Sequence, residues 1–150
     1  MTIRPPKPED HGPVVSLLRR MHEETRFSVF PLAESRLENS VSAFLEPNDW
    51  RFSCVFEQDG VVQGVFLGHM DDFWFSDAFC GFDDVFYIAP EARGGSAAAR
   101  MVKMFGEWCR ERGCSAALVG VSSGVMMDRT GALLQRLGYE RLGGLYRRHF

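Results

Sequence analysis

Apolar residues recur at three- and four-residue steps after Asp10, where Val14, Leu17, Leu18 and Met21 make one face. The spacing predicts a first helix, capped by Asp10 and ending near His22-Glu23-Glu24-Thr25. A loop from Arg26 to Leu32 and a second helix from about Ala33 to Leu45 follow, with Leu37, Val41, Phe44 and Leu45 inward. Ahead of them, Thr2 to Arg4 is a short strand cut by Pro5 and Pro6. The period then changes. Phe52 to Phe56 and Val61 to Leu67 are aromatic and β-branched runs flanking Asp59-Gly60, the pattern of a β-hairpin. Met70 to Phe79 is acidic and aromatic, and reads as a loop or an extended strand end.

Asp83 to Cys114 organises the second half. Asp84 to Ile88 reads as a strand, ended by Pro90. Arg93-Gly94-Gly95-Ser96-Ala97-Ala98 is a loop with almost no side-chain bulk, which a ligand can approach closely. Ala98, Met101, Val102, Phe105, Trp108 and Cys109 then mark an amphipathic helix that stops at Gly113. Ala116 to Val121 reads as a buried strand and Asp128 to Leu137 as a helix stopped by Gly138. Tyr139 to Phe150 has room for one or two closing strands. Strand, helix and strand in succession imply a parallel βαβ unit, and the early hairpin makes the sheet mixed. The fold class is therefore α/β, in one domain over residues 1–150.

A glycine-rich turn opening a helix aims unpaired N–H groups and the positive end of the helix dipole at one place, which suits phosphate or pyrophosphate. Arg93 adds charge beside it. The alternative is an ordinary strand-to-helix turn. A P-loop lysine and a G-x-G-x-x-G pattern are both missing, so nucleoside triphosphates and dinucleotides are poor candidates.

The net charge of −3 offers no general attraction to nucleic acid or an anionic membrane, and the N-terminus lacks a signal-peptide apolar region. A cytoplasmic protein is the expectation. Cys54, Cys80, Cys109 and Cys114 lack C-x-x-C or zinc spacing, which points to reduced core thiols. His69-x-Asp71-Asp72 has ligand types without ordered spacing, so no metal is expected.

The run Tyr87-Ile88-Ala89-Pro90-Glu91-Ala92-Arg93-Gly94-Gly95-Ser96-Ala97-Ala98 resembles the acetyl-CoA motif of the GNAT N-acetyltransferases, Arg/Gln-x-x-Gly-x-Gly/Ala after a strand and a proline. Leu133-Leu134-Gln135-Arg136-Leu137-Gly138-Tyr139 resembles the family's late helix, and Met21-His22-x-Glu24-Thr25 a first-helix end seen in some members. The element order is also the family's. The resemblance implies a mixed central sheet flanked by about four helices, and acetyl transfer from acetyl-CoA to a primary amine, small or lysine-like. A homodimer is possible by family habit. It implies that Phe86, Tyr87 and Ile88 bind the pantetheine arm through their backbone, while Arg93, Gly94, Gly95, Ser96, Ala97 and Ala98 hold the pyrophosphate.

Asp84, or its neighbour Asp83, would take the acceptor's proton. Strand alternation puts Asp84, Phe86 and Ile88 on one face and Asp83, Val85 and Tyr87 on the other. Two positions depart from the pattern. Ser96 replaces the usual glycine, at a cost of about 1 kcal/mol if that backbone is left-handed. Leu134 replaces the tyrosine that protonates the departing thiolate, which leaves the general acid unassigned and makes a silent acyl-CoA-binding or interaction module the main rival. Glu23, Glu24, Asp71, Asp72, Asp77, Asp83 and Asp84 could form an acidic mouth for a cationic acceptor, with Phe73, Trp74 and Phe75 as its wall. Gly120-Val121-Ser122-Ser123-Gly124 matches a nucleophile elbow, with Asp128 and His149 downstream, but too little chain follows for a hydrolase.

Overall fold

The computed structural model describes all residues from Met1 to Phe150. The chain runs β1 (Thr2–Arg4), α1 (His11–Glu24), α2 (Glu34–Leu45), β2 (Arg51–Gln58), β3 (Val61–Phe73), β4 (Ser76–Ile88), α3 (Ala97–Glu111), β5 (Ala116–Leu118) and α4 (Met127–Arg136). One sheet holds the strands in order β1-β2-β3-β4-β5, antiparallel except for the parallel pair β4 and β5. No helix is long and apolar enough to cross a membrane.

The sheet separates two apolar layers. Val14, Val15, Leu17 and Leu18 of α1 and Val41 of α2 pack on Val55, Val65, Leu67 and Tyr87. On the other face Met101, Val102, Phe105 and Cys109 of α3 and Leu134 of α4 pack on Phe52, Cys54, Phe56, Phe66 and Ile88. Alternation along β2 and β3 feeds both layers, which is why these strands read as nearly continuous apolar runs. Asp59 and Gly60 take positive φ at the β2–β3 turn, and Gly113 and Gly138 do so at the ends of α3 and α4.

Of the two readings open for Met70 to Phe79, the extended strand holds, on both sides of a tight turn at Trp74-Phe75, so β3 and β4 form a long hairpin. Two segments differ from the sequence expectation. β5 is only three residues long, because its pairing with β4 ends at Phe82↔Leu118. No strand forms after α4. Residues 141–150 are all exposed, and Arg147 bonds the Arg26 carbonyl while His149 lies against Phe30. Two glycines and three arginines in this tail leave it too few inward side chains to specify a register.

Candidate active site

The register of β3 and β4 runs Leu67↔Val85 and then Gly68↔Asp83, so Asp84 is an extra residue, a β-bulge. The bulge overturns the simple alternation expected for this strand. Phe86 and Ile88 pack toward α3 and Val85 and Tyr87 toward α1. Asp83 now shares the α3 face with Gly81, where a Cβ would run into Cys109 and Phe105 of α3. Asp84 turns to the opposite face, where His69 Nδ1 lies 2.7 Å from its Oδ2 and the imidazole stacks on Phe82 at 5.5 Å. His69 lies outside the lining of the cleft that opens beside this strand but contacts Asp84, a pairing that sequence reading missed. Only the cross-strand register brings it to Asp84, and its spacing from Asp71 and Asp72 pointed elsewhere.

Just past the bulge, β5 parts from β4. Their pairing stops at Phe82, leaving the edge of β4 from Asp83 to Ile88 without a strand partner. Asp83 bridges the opening, its Oδ1 accepting the Gly120 N–H at 2.8 Å. Into this gap opens a cleft of about 1030 Å³ that continues between α1, α2 and the loop joining them. Phe86, Tyr87, Ile88, Arg93, Gly94, Gly95, Ala97 and Ala98 all line it, as do Asp83 and Asp84.

The loop before α3 behaves as its composition suggests. Gly94 takes φ of +100°, and a Cβ at Gly94 or Gly95 would meet nothing within 4 Å, so the backbone is open to a ligand. Ser96 has φ of −83°, a right-handed backbone, and therefore bears no glycine-replacement cost. Its side chain does not line the cleft. The first helical turn closes with Arg100 N–H on the Ser96 carbonyl, and the N–H groups of Ala97, Ala98 and Ala99 donate to no backbone acceptor. Unpaired N–H groups at the positive end of a helix dipole favour a negative charge.

Arg93 is not the free cation that the sequence suggested. Its Nη1 and Nη2 donate to Glu24 Oε1 and Oε2 at 2.6 and 2.8 Å, and its Nε donates to the Ile88 carbonyl at 2.8 Å. Tyr87 completes the cluster by donating to Glu24 Oε2 at 2.6 Å. Burial, and then this bond to a carboxylate, push the Tyr87 hydroxyl up to about 12. Three of the five guanidinium N–H bonds are engaged, so two remain for a phosphate. Glu24 thus clamps α1 to the loop and lies outside the cleft lining.

The Arg93 guanidinium holds the Glu24 carboxyl below its ordinary value, with burial opposing and Tyr87 assisting. A depressed folded-state value means that this stability is present above the unfolded carboxyl's range and is lost as pH falls through the folded one. We expect Glu24→Gln to lower stability by about 1 kcal/mol at neutral pH, discounted for partial exposure, with the difference from wild type vanishing in acid melts. The same change removes a negative charge beside Arg93. Binding of a diphosphate-bearing anion, read by titration calorimetry, should tighten by about threefold at low salt.

Asp71, Asp72 and Trp74 do not reach the cleft. The long hairpin carries them beyond the bulge, and Trp74, 89% exposed, packs edge-on against Phe75 at its tip. The acidic mouth is thereby corrected: Asp83 and Asp84 are the only carboxylates lining the cleft, together with Arg36, Arg93, Arg129 and Arg136. Thr25 Oγ1, at the end of α1, is buried against the cleft without any hydrogen-bond partner. Leu134 is buried among Phe105, Met101 and their neighbours, so this position offers the cleft no proton donor. The elbow-like Ser122 meets no histidine; His149 lies in the tail beside Phe30. No group of three or more His, Cys, Asp or Glu gathers to hold a metal.

Residues 15–139 match the acetyltransferase (GNAT) family. The chain belongs to that family. No curated protein matches the sequence. Among solved structures it is similar to an integron cassette protein from the mobile metagenome of Cole Harbour Salt Marsh, at 20% identity and a TM-score of 0.77, covering 99% of this chain and 89% of that one. It is similar to glucosamine-6-phosphate N-acetyltransferase from Arabidopsis thaliana, at 13% identity and a TM-score of 0.75, covering 99% and 97%. AAC(6')-Iy in complex with the bisubstrate analogue CoA-S-monomethyl-acetylneamine has 17% identity and a TM-score of 0.74, covering 99% and 98%. At these identities the likeness establishes the fold. The mixed sheet flanked by four helices is the GNAT architecture expected from its motif, without the closing strands expected after α4.

Proposed function

We propose that this chain transfers acetyl from acetyl-CoA to a primary amine, small or lysine-like, by direct attack without a covalent enzyme intermediate. The carrying observation is the unpaired edge of β4 from Asp83 to Ile88, running from the bulge to the free N–H groups of α3 within one cleft. Unpaired strand backbone calls for an extended partner, and a pantetheine arm can pair with it as a further strand. Its diphosphate then meets Gly94, Gly95 and the first turn of α3, and its thioester lies at the bulge. A backbone N–H there stabilises the oxyanion.

The acceptor half of the cleft lies between α1 and α2, over Asp84. The amine must be neutral to attack, and Asp84 is the carboxylate on that face able to take its proton. The lining arginines remove the argument for selection of cationic acceptors. Thr25 Oγ1 is a spare hydroxyl for a polar group on the acceptor. Thr25→Val should leave stability unchanged or slightly raised, because the wild-type hydroxyl has no partner, while raising the acceptor KM by about fivefold. A fivefold change with a lower Tm would instead mark packing damage.

The runner-up is a silent acyl-CoA-binding module, favoured by Leu134 in the core where a tyrosine acid would stand. Calorimetry of acetyl-CoA with the wild-type chain, followed by an amine screen read by thiol release, separates the readings. Saturable binding with turnover supports the enzyme, binding without turnover the module, and no binding removes both.

A further inference from the structure

The acceptor half of the cleft has a composition of its own. Every residue that α1, α2 and the segment joining them give to the lining is apolar except His22, Thr25, Arg36 and Ser40. Phe27, Phe30 and Leu32 of the joining segment are 38%, 52% and 37% exposed, and large apolar side chains gathered at an opening mark a surface that an apolar body covers. Hydrogen bonds fix this segment in place. His22 Nε2 lies 2.7 Å from the Phe30 carbonyl, the Arg26 N–H donates to the Ser123 carbonyl at 2.8 Å, and Arg147 donates to the Arg26 carbonyl at 2.8 Å. A wall already held in shape loses little freedom when a ligand meets it.

The polar complement of the wall is small. His22 is engaged by the Phe30 carbonyl. Arg36 makes no ion pair, because Arg19 takes both of its acidic neighbours on α2, Glu34 at 2.7 Å and Glu38 at 3.8 Å. The Thr25 hydroxyl, on a residue 5% exposed, is bonded to nothing. We infer that the acceptor is a small monoamine on an alkyl or aryl body, and that Arg36 turns away amines carrying a second positive charge. The inference rests on the acetyltransferase reading and names the substrate class of that site.

An apolar body gains free energy in proportion to the area it removes from water against this wall. A polyhydroxylated amine would need a partner for each hydroxyl it buries, and beyond Thr25 and Ser40 the wall has no hydroxyl to offer. A polyamine would bring a further cation to a surface whose own unpaired charge is positive, with no carboxylate in the lining except the pair at the bulge. A single unpaired hydroxyl at Thr25 matches an acceptor with a single polar group.

The test is kcat/KM for the linear primary amines from propylamine to hexylamine at saturating acetyl-CoA, read by thiol release. It should rise about threefold with each added methylene. Glucosamine and 1,6-diaminohexane should each fall about tenfold or more below hexylamine. Phe27→Ser, at an exposed position, should lower kcat/KM about fivefold for hexylamine and less than about twofold for propylamine, with KM for acetyl-CoA unchanged; a general structural defect would lower both amines alike. Arg36→Gln should narrow the gap between hexylamine and the diamine by about threefold at low salt. A flat series in wild type, a preference for glucosamine or the diamine, or parallel losses in Phe27→Ser would each overturn the inference and leave the acetyltransferase reading standing. A gap as wide in Arg36→Gln as in wild type would overturn the part given to Arg36. If Phe27→Ser does not fold, the wild-type series decides alone. Wild type that acetylates no amine of any class removes the acetyltransferase reading, and this inference with it.

Discussion

Asp84→Asn is expected to lower kcat by about 100-fold or more while leaving acetyl-CoA affinity and Tm nearly unchanged. The variant keeps the shape of the side chain and an oxygen for His69 Nδ1, but loses the carboxylate that accepts a proton. About a third of the Asp84 side chain is exposed, so little stability depends on its charge. The bulge puts the Asp83 and Asp84 carboxyls on opposite faces of β4, so a loss of kcat in Asp84→Asn that is absent from Asp83→Asn would assign the base to the Asp84 face, and an equal loss in both would point to a shared structural defect. Equal activity of Asp84→Asn and wild type at every pH would remove the base role and move attention to His69.

How much of this was legible in the chain depended on whether a feature is local. The strand, the small-residue loop and the amphipathic helix from Asp84 to Gly113 are set by near-neighbour chemistry, and each stands where the residues suggest. The Asp-Gly turn between β2 and β3 is local in the same way. The candidate site is not. A bulge is a property of two paired strands, and nothing in Phe82-Asp83-Asp84-Val85 announces which residue will be the extra one. That single unreadable residue decides which face of the sheet each aspartate takes. The Glu24–Arg93 clamp joins residues far apart in sequence, so a glutamate expected in an acidic mouth and an arginine expected to meet a phosphate turned out to hold each other. Hairpin length had the same effect on Asp71, Asp72 and Trp74. Their composition suggested a binding surface, but continuous pairing of β3 with β4 carries them away from it.

Gly81→Ala should destabilise the fold by about 2–3 kcal/mol, a fall in Tm of roughly 6–10 °C for a chain of this size. A Cβ at this position would overlap Cys109 Sγ and lie 3.1 Å from Phe105 Cζ, both on the buried face of α3. Gly81 also pairs with Ala117 of β5, so the strand cannot retreat without loosening the last residues that hold β5 to β4. The principal obstruction is a side chain, which makes the effect correctable. Cys109→Ala alone should cost about 1 kcal/mol for a small cavity. In the double variant the new methyl occupies the space of the lost sulfur, and more than half of the Gly81→Ala penalty should disappear; simple additivity of the two losses would refute this account of the packing. Gly68→Ala is the contrasting case. There a Cβ would lie 2.7 Å from the Phe82 carbonyl oxygen, a backbone atom that no side-chain truncation can withdraw. Trimming Phe105, whose ring would lie 2.9 Å away, should leave most of that penalty in place. The difference reflects the tight approach of α3 to the β3–β4 ladder, met at Gly81 by side chains and at Gly68 by backbone as well.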